Sequence, residues 1–510
     1  MEKIYEIKEN VFAKYMDPED LAKIVRYSNV SEMWDDCVKK YGDAAAVEDG
    51  STRTYAMMDE DIASMRAALA EAGVAAGDMV GVYMPNSYEF IKSFFAITTM
   101  GAVALLMPVQ LDDKTVYGIT MGFKLKALIY DASVEEKVAF AKNTNPNTKY
   151  IDNMAAGSDD PGKVYPPAET PCCIMFTGGA TGKSKGAILS HKAIMTGTYN
   201  GCLGYKHVFG KRYMIVLPMT HVFGLVRNTL TCLATGSFLH VVRNNKEMFR
   251  EMAMFRPTDL ILVPALAELA LNVSRMMGPQ IFGGQLETII CGASVVPPYL
   301  VKEYGKLGTR LLPGYGLTES ANLVSGNAEA EKYPESVGFA FPNQTLKIVD
   351  GELWLKGDNM MLGYAGNPEE NEKAYEDGWF KTGDLVRIDD EGFIFIVGRI
   401  KDIIVLPTGE NISPEEIENK LALEKLIEEV VITGEDNILT ARIYPNQDIV
   451  SKKKWDEETV KLELQKVLDN YNRSQPTYKK ISRLVVRQNP FARNTTRKIL
   501  RQKALLDEPA

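Results

Sequence analysis

The sequence predicts a mixed α/β protein with a large body of parallel sheets, an antiparallel hairpin region, and a small mobile α+β domain at the C-terminus. Three observations carry this. An early stretch reads helix, strand, helix, strand; a middle stretch switches to short turn-rich segments; and the pattern changes again near residue 400. At 510 residues the chain is also too long for one simple core.

The elements follow in order. Ile62, Met65, Leu69 and Ala72 recur at helical spacing and stop at Gly73, which suits a helix C-terminus because glycine enters the left-handed region without a Cβ clash. An apolar strand is expected from Met79 to Met84. Ser87 then supplies the N-cap of a helix running to about Met100, and after Gly101 a second apolar strand covers Ala102 to Met107. Together these make a β-α-β unit, and so a parallel sheet with covering helices.

The alternation continues to about residue 320, where KIVDGELWLKGD and EGFIFIVGR read as antiparallel hairpins. After GRIKD (398–402), Ser413, Pro414 and Glu416 have the pattern of a capping box opening a helix. Short strands and a helix around 456–470 follow. A large domain is therefore expected at 1–399 and a small one at 400–510, with a hinge of a few residues between them.

Composition excludes several classes. A formal net charge of -9 argues against a general nucleic-acid binder. The six cysteines show no C-x-x-C spacing and several lie in apolar runs, which favours buried reduced thiols and a cytoplasmic setting. The charged N-terminus MEKIYEIKEN lacks the apolar stretch of a signal peptide, and no run is long enough for a membrane span. From residue 470 onward ten Lys/Arg stand against two Asp/Glu, a balance suited to phosphates or to a plain solvated face.

The most informative stretch is PCCIMFTGGATGKSKGAILSH, residues 171–191: an apolar strand running into a loop of small residues with hydroxyls and two lysines. Glycines let backbone N–H groups approach an anion closely, threonine hydroxyls add donors, and lysines neutralise charge. A purely structural turn is the bland alternative. A Walker A loop would need glycine where Thr177 stands, so that pattern fails by one residue. Gly182 to Gly186 also fits G-x-S-x-G, the nucleophile elbow of serine hydrolases, with Ser184 as nucleophile.

The loop more closely resembles the phosphate loop of the acyl-adenylate-forming synthetase superfamily, usually written T-S-G-T-T-G-x-P-K-G; here it reads T-G-G-A-T-G-K-S-K-G. Gly178, Ala180 and Ser184 depart from that pattern, removing two hydroxyl donors. Further motifs follow in the family's order: LPMTHVFGL (217–225), CGAS (291–294), PGYGLTES (313–320), WFKTGDL (379–385), GRIKDIIVLPTGENISPEEIE (398–418) and FARNTTRKILR (491–501). In the last, Ala492, Asn494 and Arg497 replace the usual proline, threonine and glycine. The chain is closest in type to acyl- and aryl-CoA synthetases.

The resemblance implies roles. Thr177, Gly178, Gly179, Ala180, Thr181, Gly182 and Lys185 would cradle the phosphates of ATP, with Gly292, Ala293, Ser294, Tyr315 and Gly316 around the adenine and Asp384 with Arg399 at the ribose. Thr318 would donate to phosphate, and Glu319 with Thr181 would hold Mg²⁺, a hard cation that takes oxygen ligands. His221 would border the substrate carboxylate, and Val222, Phe223, Gly224 and Gly314 would wall the acyl pocket. Lys401 would be the hinge, Gly409 would meet coenzyme A (CoA), and Lys498 would bring the anionic carboxylate and α-phosphate together.

The implied reaction is ATP-dependent joining of a fatty or aromatic acid to CoA through an acyl-adenylate; small, apolar pocket residues disfavour a dicarboxylate. Transfer to a carrier-protein pantetheine, adenylation of an amino acid, and a weakly catalytic nucleotide-binding relative remain alternatives. The H-V-F-G form without an aspartate weighs against an amino acid. The expected partners are the acid, ATP and CoA, with no nucleic acid and a homodimer allowed.

Overall fold

The computed structural model describes residues 3–7, 10–177, 185–405, 411–435, 438–493 and 499–504. The β-α-β unit forms as expected. Helix Tyr55–Glu71 buries Ile62, Met65 and Leu69 and is capped by Thr54, whose hydroxyl accepts from the Met57 N–H. At its end Gly73 takes φ +80°, its N–H donating to Ala70 O at 2.9 Å while the Val74 N–H donates to Leu69 O at 3.0 Å. That pair satisfies two carbonyls the helix would otherwise leave orphaned. Ser87 caps helix Tyr88–Thr99 by accepting from the Phe90 N–H at 3.1 Å. The flanking strands are Met79–Tyr83 and Val103–Leu106, paired in parallel and slightly shorter than the apolar runs that predict them.

Among the described residues these strands sit in a seven-stranded sheet that also holds Pro171–Thr177 and Lys185–Ser190. A nine-stranded sheet has Arg212–Ile215, Asp259–Leu262, Thr288–Cys291 and Arg310–Leu317 as parallel neighbours and then turns antiparallel at Asn322–Gly326. One apolar core packs both sheets and their helices. The parallel strands read as continuous apolar runs because both their faces are covered.

A third sheet contains the hairpins. Gln344–Val349 and Glu352–Gly357 pair antiparallel across Asp350-Gly351, with φ +50° and +86°, the two left-handed residues of a type I′ turn. Ile394–Arg399 pairs with Trp379–Ile388 in a register that sets Asp384 opposite Arg399. Strand Lys3–Glu6 joins Gln344–Val349 at the edge, a pairing the charged N-terminal sequence did not signal.

Strands Ile427–Glu435, Ile438–Pro445 and Ile481–Val486 form a separate small sheet. Ile417, Leu421, Val460, Leu464 and Leu468 cover it from helices Pro414–Leu421 and Glu457–Arg473, making a core of its own. The expected capping box is not formed: Ser413 holds the N-cap position, but its hydroxyl donates to Val397 O at 2.8 Å and Glu416 pairs with Lys420 and Lys479. The Ser413 hydroxyl is turned to a carbonyl on strand Ile394–Arg399 and accepts from no N–H of the helix's first turn. All six cysteines are buried and free, and no described helix is long and apolar enough to cross a membrane.

Candidate active site

Pro171–Thr177 and Lys185–Ser190 pair antiparallel, so the glycine-rich loop joins two strands. Both a P-loop and a nucleophile elbow need a strand followed directly by a helix. That context is missing for the Walker A and Ser184 readings alike. Gly178, Gly179, Ala180, Thr181, Gly182 and Ser184 themselves lie outside the described residues, as do Gly409, Asn494, Arg497 and Lys498. The loop's two ends are described. Thr177 is buried, and Lys185 is ion-paired with Glu370, its ammonium 4.9 Å from the centre of the Tyr364 ring.

Between these sheets lies a cavity of about 1000 Å³, at the upper end of ligand-sized pockets. Its two sides differ in chemistry. On one, Leu217, Pro218, His221, Val222, Phe223 and Leu323 make an almost apolar wall. On the other, Thr177, Lys185, Thr318, Glu319, Arg399 and Lys401 converge. Among the described lining residues, five Lys/Arg face three carboxylates, so the polar side suits a polyanion.

The apolar wall is built by close backbone contacts. His221 precedes the π-helix Phe223–Leu230 and its carbonyl accepts from the Leu225 N–H at 2.9 Å. Gly224 packs so tightly on the previous turn that a Cβ there would stand 2.2 Å from Pro218 O. Burial lowers the His221 pKa from its ordinary value, which favours the neutral ring. π-Helical turns recur at functional sites because the extra residue re-aims side chains.

On the polar side Glu319 sits on a one-turn helix, Thr318–Ser320, and its Oε1 accepts from Tyr364 Oη at 2.8 Å. Among the described residues the second oxygen takes no hydrogen bond, and the group lines the cavity, so a half-buried carboxylate oxygen is open to a hard cation such as Mg²⁺. The cavity therefore fits the cation through Glu319.

Asp384 is 2% exposed as a side chain and is held at both oxygens. Arg399 Nε meets Oδ1 at 2.6 Å and Tyr315 Oη donates to Oδ2 at 2.6 Å. A carboxylate has about four lone-pair sites, so two remain for other donors. Burial, then Asp384, pushes the Tyr315 pKa up, which keeps the phenol protonated and donating. Burial alone would lower Arg399, but Asp384 holds it above its ordinary value.

The large cavity brings together some of the expected site residues and not others. Tyr315, Asp384, Gly292, Ser294 and Gly314 are not among the residues lining the large cavity; Ala293 and Gly316 are. Tyr315 is tied down by its own hydroxyl. Gly292 and Gly316 are packing glycines, since a Cβ would lie 2.8 Å from Gly314 O and 2.0 Å from Asn322 O respectively. Ala293 takes φ +66°, unusual for a residue with a Cβ and found here beside the cavity. Tyr364, Glu370 and Glu352 belong to the lining but escape sequence reasoning, because no local motif contains them.

A cavity with a cationic, Mg²⁺-compatible side and an apolar side suits a nucleotide lying beside an apolar group. Residues 34–365 match the AMP-binding enzyme family and residues 401–507 the AMP-binding enzyme C-terminal domain. The chain belongs to the AMP-binding enzyme family. Among its relatives, a long-chain-fatty-acid–CoA ligase of Yersinia pestis is 26% identical, over 81% of this chain and 84% of that one. A feruloyl-CoA synthase of an Amycolatopsis species is 28% identical, over 74% and 80%. The fold is also that of an anthranilate CoA ligase solved with anthranoyl-AMP, at a TM-score of 0.84 and 18% identity, covering 95% of this chain and 98% of that one.

Proposed function

We propose that the protein is an ATP-dependent carboxylic acid:CoA ligase for a fatty or aromatic acid, working through an acyl-adenylate. One observation carries the reading: a single cavity holds an apolar wall starting at His221 and a cationic side containing Lys185, Glu319 and Arg399. An acid tail and an ATP triphosphate can share such a space with the carboxylate against the α-phosphate. The names of the relatives agree with this chemistry.

In the first half-reaction a carboxylate oxygen attacks the α-phosphorus, the bond to the β-phosphate breaks, and pyrophosphate leaves with the electron pair. The residues of the chain orient and neutralise. Thr177, Thr318 and Lys185 meet the phosphates, Lys185 exchanging Glu370 for the nucleotide; Ala293 and Gly316 flank the adenine; and Asp384, positioned by Arg399 and Tyr315, accepts from the ribose. Glu319 and Thr181 would hold Mg²⁺, which would offset the developing negative charge. Neutral His221 borders the carboxylate without adding a competing charge, and Lys498 supplies a cation between two anions.

In the second half-reaction the CoA thiolate attacks the acyl carbonyl and AMP leaves with the C–O electron pair. The domain of residues 400–510 turns about Lys401 against the domain of residues 1–399, withdrawing Lys498 and presenting the Gly409 segment. Splitting the reaction gives the carbonyl a good leaving group before the thiol arrives. Six buried free thiols support a reducing, cytoplasmic setting.

The test is product analysis with ATP, Mg²⁺, CoA and a panel of fatty and aromatic acids. Stoichiometric acyl-CoA, AMP and pyrophosphate from at least one acid are expected. ADP and phosphate, or hydrolysis without a thioester, would remove the ligase reading.

A further inference from the structure

Behind the apolar wall lies a second, small cavity of about 20 Å³, room for about one water-sized group. Its apolar lining includes Ile290, Leu312, Leu323 and Phe341. Its polar lining is unusual. Arg227 is 1% exposed, and its Nε and Nη1 have no hydrogen-bond partner among the described residues. The hydroxyl of buried Tyr205, in the same lining, has none among the described residues either. The guanidinium carbon lies 5.1 Å from the centre of the Tyr205 ring, a contact that places the cation without satisfying its N–H groups.

Two sources of compensation nearby fall short. Asp259, buried on the strand Asp259–Leu262, adds a favourable field, but its Oδ2 accepts from Thr258 and it makes no ion pair with Arg227 among the described residues. Cys202 is held neutral, its thiol pushed up to about 12 by burial. Arg227 itself is pushed down to about 10 by burial, still protonated at neutral pH. A buried charge without a partner is costly, and donors without an acceptor are the complement of an anion.

The two cavities are neighbours. Leu323 borders both, and Arg227 follows Phe223, a lining residue of the large cavity, by four positions on the same π-helix. Leu323 therefore stands between an acyl chain bound beside Phe223 and the Arg227 guanidinium.

From this we propose that Arg227 and Tyr205 form a subsite for a second carboxylate at the far end of the acid, making the preferred substrate a dicarboxylic acid activated at one end only. This rests on the ligase reading and amends the expectation that the pocket disfavours a dicarboxylate. Arg227 lies six residues beyond His221 in an otherwise apolar run. The distal carboxylate accepts from Arg227 Nε and Nη1 and from Tyr205 Oη, with rotation of Leu323 joining the two spaces.

The test compares straight-chain α,ω-dicarboxylic acids with monocarboxylic acids of matching length in two assays. Binding is measured by titration calorimetry on protein saturated with α,β-methylene-ATP, which cannot adenylate the acid because its α,β-bridge does not break; turnover is measured by ATP–pyrophosphate exchange. At least one diacid should bind more than about tenfold tighter than its monoacid, and Arg227→Met should shift the ratio toward the monoacid by roughly 10²-fold. Tyr205→Phe, which keeps the ring, should shift it the same way by less, and serves if Arg227→Met does not fold. Equal binding of diacid and monoacid at every length, or variants that weaken both alike, would overturn the subsite. Exchange absent with every acid would instead overturn the ligase reading, and the binding comparison would still decide the subsite.

Discussion

Asp384 and Arg399 face each other across an antiparallel strand pair, with guanidinium Nε and carboxylate Oδ1 2.6 Å apart, while Tyr315 holds the other oxygen. The carboxylate is thus fixed in orientation before any nucleotide arrives. Asp384→Ala should raise the KM for ATP by roughly 10²-fold through loss of the ribose contact. It should also destabilise the fold by about 2 kcal/mol, less than for a wholly buried pair because the Arg399 side chain is 29% exposed. Tyr315→Phe should cost about 1 kcal/mol of stability, with a smaller change in KM. Steady-state kinetics and urea unfolding check both. An unchanged KM for ATP in Asp384→Ala would remove the ribose assignment.

Lys498→Ala should lower adenylation by roughly 10²–10³-fold, by analogy with deleting one preorganised charge stabiliser. Thioester formation from supplied acyl-AMP should survive. Single-turnover assays of each half-reaction separate the two, and equal losses in both would refute the role.

Gly224→Ala tests how the apolar wall is built. Its Cβ would stand 2.2 Å from Pro218 O, so the π-helix must move off the preceding turn. Overpacking of this kind costs about 1–3 kcal/mol. The KM for the acid should rise more than that for ATP, because the helix carries the acyl side. Wild-type kinetics for the acid would show that the contact is not tight.

His191 gives the fold a defined acid sensitivity. It is fully buried, its Nδ1 accepts from the Val30 N–H, and burial pushes its pKa from 6.5 down to about 4. The folded state resists a proton that the unfolded chain binds below pH 6.5. Stability is therefore intact above that pH and falls as pH drops toward 4. The loss between pH 7 and pH 5 should be about 2 kcal/mol. His191→Gln, which cannot titrate, should show a correspondingly smaller loss in urea unfolding; an equal loss would place the sensitivity elsewhere.

What the sequence made legible was what depends on local signals. Gly73, Ser87 and the Asp350-Gly351 turn mark real element ends because caps and turns are decided within a few residues. His221, Thr318, Glu319, Arg399 and Lys401, far apart in the chain, do converge on one cavity, as the ordered motifs implied. Ser413 misled because its hydroxyl found Val397 on another strand, a tertiary partner outside any local pattern. Tyr364 under Lys185, and Tyr315 bonded to Asp384 rather than presented to the cavity, are likewise products of packing. Arg227 was visible as a lone cation in an apolar run, but its lack of a partner became evident only once its neighbours were in place.

The most direct test of the central claim is to follow an oxygen-18 label from the carboxylate of an accepted acid through turnover with ATP and CoA. If the acid attacks the α-phosphorus, one labelled oxygen must appear in AMP and none in pyrophosphate. Unlabelled AMP, or label recovered in phosphate or pyrophosphate, would contradict an acyl-adenylate route.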